Sequence, residues 1–192
     1  LACLGTKFRI GSLQNTNPNL SFGQRHYTFI SVLATENNTV VQFDDIKTGV
    51  VLINNAAAGN TPSSIILNSG ESFVMAVEGP LDPLAPEQLT ANRDGLIGSL
   101  VTSDKPIAVN CGSFAGTNAD NNLDLGFDQI VSVERTGKDY IFIKSTGQDV
   151  VERVLLVAHF DGTEIRLNGN TGAPDFVINS GEYLDLNGSN FN

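Results

Sequence analysis

Oxygen-bearing side chains are concentrated in the segment that begins at Asp120. Asp120, Asn122 and Asp124 alternate along the chain, and Asp128 follows four residues later. Carboxylate and amide oxygens at alternate positions suit Ca²⁺ as a ligand set. An EF-hand loop that started at Asp120 would need Gly at its sixth position and Glu at its twelfth, and neither is present. The spacing therefore predicts a calcium site of another kind or, as the alternative, an Asx-rich turn.

Other residues that could do chemistry are few and scattered. The two histidines, His26 and His159, stand in no metal-ligand spacing with each other or with a cysteine. No Gly-rich phosphate loop follows a strand pattern, and no nucleophile elbow occurs. Carboxylates are numerous, but no second signal selects two of them as the acid and base of a glycosidase. We therefore predict that the chain is not an enzyme.

The two cysteines, Cys3 and Cys111, are too few for a disulfide framework. A bond between them would require the first strand to lie beside the central one, in an oxidising compartment. The alternative is two small, buried, apolar side chains. The sequence leaves both possibilities open.

Composition restricts the class of protein. The 192 residues suffice for one ordinary domain, or two small ones, with a real core. A net charge of −10 with only 11 Lys and Arg argues against a nucleic-acid partner, because phosphate binding needs clustered cations. The sequence contains no apolar run long enough to span a membrane.

Alternation with a period of two, interrupted by frequent turns, predicts an all-β, antiparallel fold. The stretch from Leu96 to Lys144 bridges two similar halves. A turn is predicted at Ser103–Pro106, with Pro106 opening the next strand because proline cannot donate a ladder hydrogen bond. The strands predicted in this stretch are Leu96–Val101, Ile107–Cys111, Gln129–Glu134 and Tyr140–Lys144.

An internal repeat relates the two halves. Residues 34–43 align with residues 158–167, and residues 67–72 align with residues 178–183. The second alignment contains Asn-Ser-Gly-Glu in both copies, where Gly suits the positive φ of a tight hairpin and Asn and Ser bond their own backbone. The repeat predicts tandem sandwich-like units, with propeller-like blades as the alternative.

The repeat also sets the predicted domain limits. We place a first β unit at residues 1–135 and a second, truncated repeat packed on it at residues 136–192. Phe43 and Leu167 should then occupy equivalent core positions. Because the second copy ends before any counterpart of residues 96–111, we expect the natural domain to be longer.

Motifs spread over nearly the whole chain match one known pattern. They are Gly5-Thr6-x-Phe8, Tyr27-Thr28-Phe29-x-x-Val32-x-Ala34-Thr35-Glu36-x-Asn38-Thr39-x-Val41, Leu96-Ile97-Gly98-Ser99 with Ser103-Asp104-Lys105-Pro106-Ile107, and Asp124-x-Gly126-x-Asp128-Gln129-Ile130-Val131-x-Val133-Glu134-Arg135-x-Gly137. In these motifs the chain resembles the N-terminal domain family of IgG Fc-binding protein. That family occurs in an animal mucus protein and in large surface proteins of gliding, Bacteroidetes-type bacteria.

The resemblance implies a secreted, cell-surface location and neighbouring domains in a long exported adhesin. It implies a glycan or protein ligand on an extracellular surface, without identifying it. The small number of cysteines is closer to the bacterial branch. We therefore predict a non-catalytic adhesin module for bacterial surface attachment or gliding. The alternative is a carbohydrate-binding module or carbohydrate-active enzyme, which would need a groove with exposed aromatic side chains, and the chain has no Trp.

Overall fold

The structure is a computed structural model that describes residues 3–11, 27–53, 64–78, 90–92, 94–116 and 124–190. These residues form eleven strands with antiparallel pairing and two 3₁₀ turns, at Thr90–Asn92 and Val133–Arg135, and include no α-helix. The predicted all-β class is therefore confirmed. The strands are β1 (Gly5–Arg9), β2 (Tyr27–Ala34), β3 (Thr39–Asp44), β4 (Ser64–Leu67), β5 (Ser72–Glu78), β6 (Leu100–Gly116), β7 (Asp124–Gln129), β8 (Arg153–Val157), β9 (Thr163–Ile165), β10 (Phe176–Ile178) and β11 (Tyr183–Asn187).

Strand β6 organises the main sheet. The sheet has seven strands: five are connected by hydrogen bonds in the order β4-β3-β6-β2-β5, and β1 and β7 also pair with β6. The first half of β6 pairs with β3 and β1, and its second half pairs with β2 and β7. The sheet curls into a half-barrel.

One face of this sheet contains the core. Alternate residues of β1, β2, β3 and β6 point inward, as the period-two pattern requires. Burying one such side chain fully contributes roughly 1.5–3 kcal/mol relative to leaving it exposed. The most deeply buried of them are Phe8, Ile30, Val32, Val41, Val101, Ile107 and Val109.

The predicted turn at Ser103–Pro106 is wrong, because β6 continues without interruption from Leu100 to Gly116. Residues 104–106 have no Cα partner in the paired strands, so Pro106 sacrifices no ladder hydrogen bond. The Pro106 carbonyl instead accepts a hydrogen bond from the Thr35 hydroxyl at 2.6 Å. Proline therefore lies in the middle of the central strand, at the point where β6 changes partners.

Other boundaries in the central stretch also differ from the prediction. Strand β7 ends at Gln129, where the predicted strand began, and the 3₁₀ turn Val133–Arg135 follows. Tyr140–Lys144 belongs to no strand. The residues of β7 include Asp and Gly, which are rare in strands, and the sequence therefore indicated a loop there. Pairing with β6 overrides that local preference.

The repeated sequence folds into two groups of four strands with the same pairing. The first quartet consists of the strands from β2 to β5, in which β2 pairs with β5 and β3 pairs with β4. The second quartet consists of the strands from β8 to β11, in which β8 pairs with β11 and β9 pairs with β10. The register is the same at aligned positions, since Leu33 lies opposite Ser72 and Val157 lies opposite Tyr183.

The turns of the two quartets also have matching hydrogen bonds. The Glu71 carboxylate accepts a hydrogen bond from the backbone N–H of Asn68 at 2.6 Å. The Glu182 carboxylate accepts one from the backbone N–H of Asn179 at 2.7 Å. Asn and Glu of the shared Asn-Ser-Gly-Glu motif thus close the same turn twice. Local sequence is sufficient to explain this similarity, because donor and acceptor lie three residues apart.

The packing of the two quartets differs. Phe43 is buried, whereas Leu167 is half-buried and lies beyond the end of β9. The first quartet is joined by β6 into one sheet, but the second forms two separate two-stranded sheets. Repeat units with equivalent cores are therefore not confirmed, and the division between residues 135 and 136 stays a prediction.

Candidate binding groove between the two quartets

A groove of about 690 Å³ lies where the turn of the second quartet meets the first half of the chain. One wall comes from the loop after β3 and from the turn before β6. The other wall comes from the Asn-Ser-Gly-Glu turn and the ends of β10 and β11. The lining residues are Asp45, Lys47, Asp94 and Ile97 on the first wall, with Ile178 and residues 180–183 on the second.

Arg9, at the end of β1, holds the two walls together. Its Nη1 donates hydrogen bonds of 2.7 Å to the Asp45 carboxylate and 2.7 Å to the Gly98 carbonyl. Its Nη2 donates one of 2.8 Å to the Ser180 hydroxyl. Only 7% of the Arg9 side chain is exposed, and its Nε is buried without a hydrogen-bond partner. The planar guanidinium suits this role because it presents several donors in a fixed geometry.

A second polar cluster crosses the groove beside Arg9. Lys47 forms an ion pair of 2.6 Å with Asp94, and the Tyr183 hydroxyl donates a hydrogen bond of 2.7 Å to the other oxygen of the same carboxylate. Asp94 precedes β6, and Tyr183 begins β11. This cluster therefore links the main sheet to the second quartet.

The backbones of the two walls approach closely at Gly98 and Gly181. Both have positive φ, at 83° and 80°. A Cβ atom at Gly98 would lie 1.9 Å from the Gly181 carbonyl oxygen, so no other residue fits without moving the backbone. The contact fixes the position of the second quartet's turn, and with it the shape of the groove.

His159 lies close to these charges. It follows β8, and its Nδ1 is buried without a hydrogen-bond partner. Burial lowers the pKa of His159, and the positive charges of Arg9 and Lys7 lower it further. The ring is therefore neutral at physiological pH, and it does not line the groove.

Chemically, the groove is a binding surface with fixed charges. Its carboxylates are already engaged: Asp45 with Arg9, Asp94 with Lys47, and Glu182 with the backbone of its own turn. Asp45 can still accept hydrogen bonds from a ligand and Lys47 can donate them, since both side chains are about half exposed. The arrangement favours a polar or charged segment that lies across both walls.

The two predicted calcium ligands that the structure describes, Asp124 and Asp128, do not line the groove. Asp120 and Asn122 fall outside the described residues, while Asp124 and Asp128 both belong to β7. Four residues of extended strand separate their Cα atoms by roughly 13–14 Å. The Asp128 carboxylate accepts a hydrogen bond from the neighbouring Gln129 amide at 2.7 Å. Within the described residues no three His, Cys, Asp or Glu side chains converge on a point.

The two cysteines are free in the structure, so the disulfide that the sequence left open is not formed there. The Cys111 thiol donates a hydrogen bond of 2.8 Å to the Gly11 carbonyl. Burial raises the pKa of Cys111 to about 12, with a smaller contribution from the negative charge of Asp128. Cys111 is therefore a buried, unreactive side chain.

Exposed aromatic rings on β6 and β7 form a second surface feature beside the buried Phe29 of β2. Phe29 stacks on Phe114 with ring centroids 4.8 Å apart, and Phe127 lies 6.4 Å from Phe29. Phe114 and Phe127 are more than half exposed. Alternation alone could not identify this cluster, because it depends on how β6 and β7 pair.

Sequence reasoning also missed the groove. Its central contact joins Arg9 to Ser180, 171 positions later in the chain. The one local signal was the second Asn-Ser-Gly-Glu turn, because Ser180 and Glu182 of that motif line the groove. The spacing of Ser180 and Glu182 suits a turn as well as a binding site, so the sequence alone could not assign these residues to the groove.

An antiparallel β scaffold with a polar groove at the junction of two strand quartets defines a binding module. The comparison with protein families is specific: the model described as IgGFc binding protein matches residues 1–191. The chain belongs to this family, which confirms the resemblance seen in its sequence motifs. Comparisons with curated proteins and with solved structures found no match. Modules of this family are of an extracellular type. No helix within the described ranges has the length and apolarity required to cross a membrane.

Proposed function

We propose that this chain is a non-catalytic, protein-binding module of a large secreted adhesin at a bacterial cell surface. The observation that supports this most strongly is the family match over residues 1–191, whose description names an antibody fragment as the ligand. A rigid β scaffold that presents loops and a groove is suited to binding. Labelling of intact cells with an antibody against the chain tests its location, and staining only after lysis would contradict it.

The groove between the quartets is the proposed ligand site. It contains a half-exposed cation, Lys47, and a half-exposed carboxylate, Asp45, on one wall. Each is tied to a more buried partner of opposite charge, which fixes its direction. A protein ligand could pair with both charges, because charge complementarity sets orientation and association rate.

Surface plasmon resonance with the immobilised chain tests this proposal. IgG Fc is the first analyte, because the family description names it, and Fab is the control. We expect Fc to bind and Fab not to bind. Asp45→Asn and Lys47→Ala should weaken binding about three- to tenfold, whereas the exposed Lys138→Ala, outside the groove, should not.

The possible results separate two questions. Fc that fails to bind a folded chain would exclude Fc as the ligand. Fc binding that is equally strong in all three variants would exclude the groove as the site. Retained binding in Lys138→Ala with a loss in both groove variants would support the proposal.

The exposed aromatic cluster favours a second candidate, carbohydrate binding. The exposed rings of Phe114 and Phe127 present apolar faces of the kind that stack on sugar rings, and Phe114 stacks on the buried ring of Phe29. A glycan array with the wild type and with Phe114→Ala tests this candidate. A glycan signal that disappears in the variant would support a carbohydrate-binding module, and a blank array with the wild type would exclude it. Turnover of any arrayed glycan would contradict our proposal that the chain is non-catalytic.

Calcium remains a separate proposal. Asp120, Asn122 and Asp124 could share an ion, either as a structural cation or as a bridge to a ligand. Calorimetry with Ca²⁺, on the wild type and on Asp124→Ala, tests it. No heat with the wild type would remove calcium from the proposal.

A further inference from the structure

Asparagine is followed by glycine at two places in the chain, Asn168–Gly169 and Asn187–Gly188. Such a pair can react without an enzyme. The backbone nitrogen of the glycine gives its proton to solvent and attacks the side-chain carbonyl carbon of the asparagine, and the amide nitrogen takes up a proton and leaves as ammonia. Water then opens the cyclic imide to aspartate or isoaspartate. Glycine favours the reaction because no side chain covers its nitrogen.

The pair Asn168–Gly169 occupies a tight turn in the connection between β9 and β10. Both residues have positive φ, at 52° and 73°, and the Asn170 backbone N–H donates a hydrogen bond of 2.9 Å to the Leu167 carbonyl. Positive φ at both central positions is the pattern of a type I′ turn, which favours Asn-Gly. Both residues are exposed, and a Cβ atom at Gly169 would meet nothing within 4 Å. The nitrogen that attacks is therefore accessible.

Few contacts restrain the reacting groups in this turn. The Asn168 side-chain amide donates one hydrogen bond, of 3.3 Å, to the Asn190 carbonyl. Among the described residues the backbone N–H of Gly169 has no acceptor. The Asn168 side chain must swing towards the Gly169 nitrogen to react, which requires the turn to open briefly. An exposed turn outside the core opens at low cost in free energy.

The pair Asn187–Gly188 provides an internal comparison. Gly188 is buried, and its N–H donates a hydrogen bond of 2.9 Å to the Asp149 carbonyl. The Asn187 side-chain oxygen accepts hydrogen bonds from the Ser189 backbone N–H at 3.0 Å and from the Ser189 hydroxyl at 2.6 Å. The attacking nitrogen is thus covered, and the side-chain amide is held in a turn of its own. Since the residue types are the same, a difference in reactivity between the two pairs reports the fold.

The surroundings of the exposed pair determine what the reaction does to the structure. The Asp175 carboxylate accepts hydrogen bonds from the Leu167 backbone N–H at 2.8 Å and from the Asn170 side-chain amide at 3.1 Å, and these two donors flank position 168. A new carboxylate at position 168 would repel Asp175. Isoaspartate would also lengthen the backbone inside the turn that the Leu167–Asn170 hydrogen bond closes. Both products therefore weaken this connection.

We propose that Asn168 is a site of spontaneous modification, which deamidates through Gly169 in the folded chain and thereby loosens the connection between β9 and β10. Asn187 is its protected counterpart. The reaction needs only water and mild base, and it adds a negative charge to the chain. The site lies outside the groove and does not depend on the groove's ligand.

The test is incubation of the folded chain at pH 9, followed by trypsin digestion and mass spectrometry. A single tryptic peptide, residues 167–192, contains both pairs, because no Lys or Arg follows Arg166. Electron-transfer fragmentation of this peptide separates the two positions and distinguishes isoaspartate from aspartate. We expect Asn168 to convert about tenfold faster than Asn187 in the folded chain. In concentrated urea, where the fold is lost, the two should convert at similar rates.

A variant and a stability measurement complete the test. Asn168→Gly removes the reactive amide and retains a residue that accepts positive φ. The converted wild type, separated by ion exchange, should unfold at a lower urea concentration than the unconverted chain, whereas incubation should leave the midpoint of Asn168→Gly unchanged. Equal rates at the two positions of the folded chain, faster conversion of Asn187, or no conversion of Asn168 would overturn the assigned site. An unchanged midpoint of the converted wild type would overturn its effect on the connection.

Discussion

The close approach of Gly98 to Gly181 leads to a quantitative prediction about the junction of the two quartets. Replacing Gly98 with Ala has two costs. A residue other than Gly at a φ of 83° is strained by about 1–2 kcal/mol. The new Cβ would also lie 1.9 Å from the Gly181 carbonyl oxygen, and moving packed backbone typically costs a further 1–3 kcal/mol, roughly. The expected loss in the free energy of unfolding is therefore about 2–5 kcal/mol.

Gly70 provides a matched control. Its φ is 82°, and a Cβ atom there would meet nothing within 4 Å. Gly70→Ala therefore measures the strain alone, and we expect a loss of about 1–2 kcal/mol. Gly181→Ala should resemble the control, because its Cβ would make an ordinary contact of 3.4 Å with the Gly98 carbonyl.

Urea unfolding of the three variants, followed by circular dichroism, provides the measurement. Gly98→Ala should shift the midpoint well below that of Gly70→Ala, with the same slope. Equal losses in these two variants would refute the close approach, and with it the position of the second quartet's turn against the first half of the chain.

Three further predictions concern single side chains. At pH 8, iodoacetamide should alkylate Cys3 but not Cys111 in the folded chain, because burial raises the pKa of Cys111 to about 12. Mass spectrometry that shows rapid alkylation of both cysteines would contradict this prediction. Glu71→Ala and Glu182→Ala should each lower the free energy of unfolding by about 1 kcal/mol, and a large difference between them would show that the two turns are not equivalent. Asp175 accepts hydrogen bonds from a backbone amide and an asparagine side chain, which lower its pKa, so its stabilisation is present at pH 7 and is lost as the pH falls through that pKa. Asp175→Asn should thus be less stable than the wild type at pH 7, with a difference that shrinks as the pH falls through the lowered pKa of Asp175, and a difference in urea midpoints that stays constant with pH would contradict the assignment.

Turns and strand alternation could be predicted from sequence because their causes are local. Thr39–Asp44 alternates apolar and polar residues, and Ser64–Leu67 and Phe176–Ile178 are short apolar runs between turn residues. The Asn-Ser-Gly-Glu turns contain both the donor and the acceptor of their closing hydrogen bond. Four residues are enough to specify such a structure, whatever the rest of the chain does.

The wrong strand predictions concern segments whose structure depends on a partner strand far away in the sequence. Pro106 normally indicates the start of a strand, but it lies inside β6 because no neighbouring strand needs its missing amide. Tyr140–Lys144 has a strand-like apolar pattern and still forms no strand, because none of the described strands pairs with it. A ladder requires two strands, and one segment's composition does not reveal whether the second is present.

The sequence by itself determined the all-β class, the family and the chemistry of both repeated turns, because each depends on residue types at fixed short spacing. The tertiary structure alone decided that Arg9 joins Asp45 to Ser180 and that Gly98 touches Gly181, which together make the groove. It also decided that β6 pairs with β2 and β3 of the first quartet and, among the described strands, with none of the second. These contacts join residues far apart in the chain, and they form only when the curled sheet brings its two halves together.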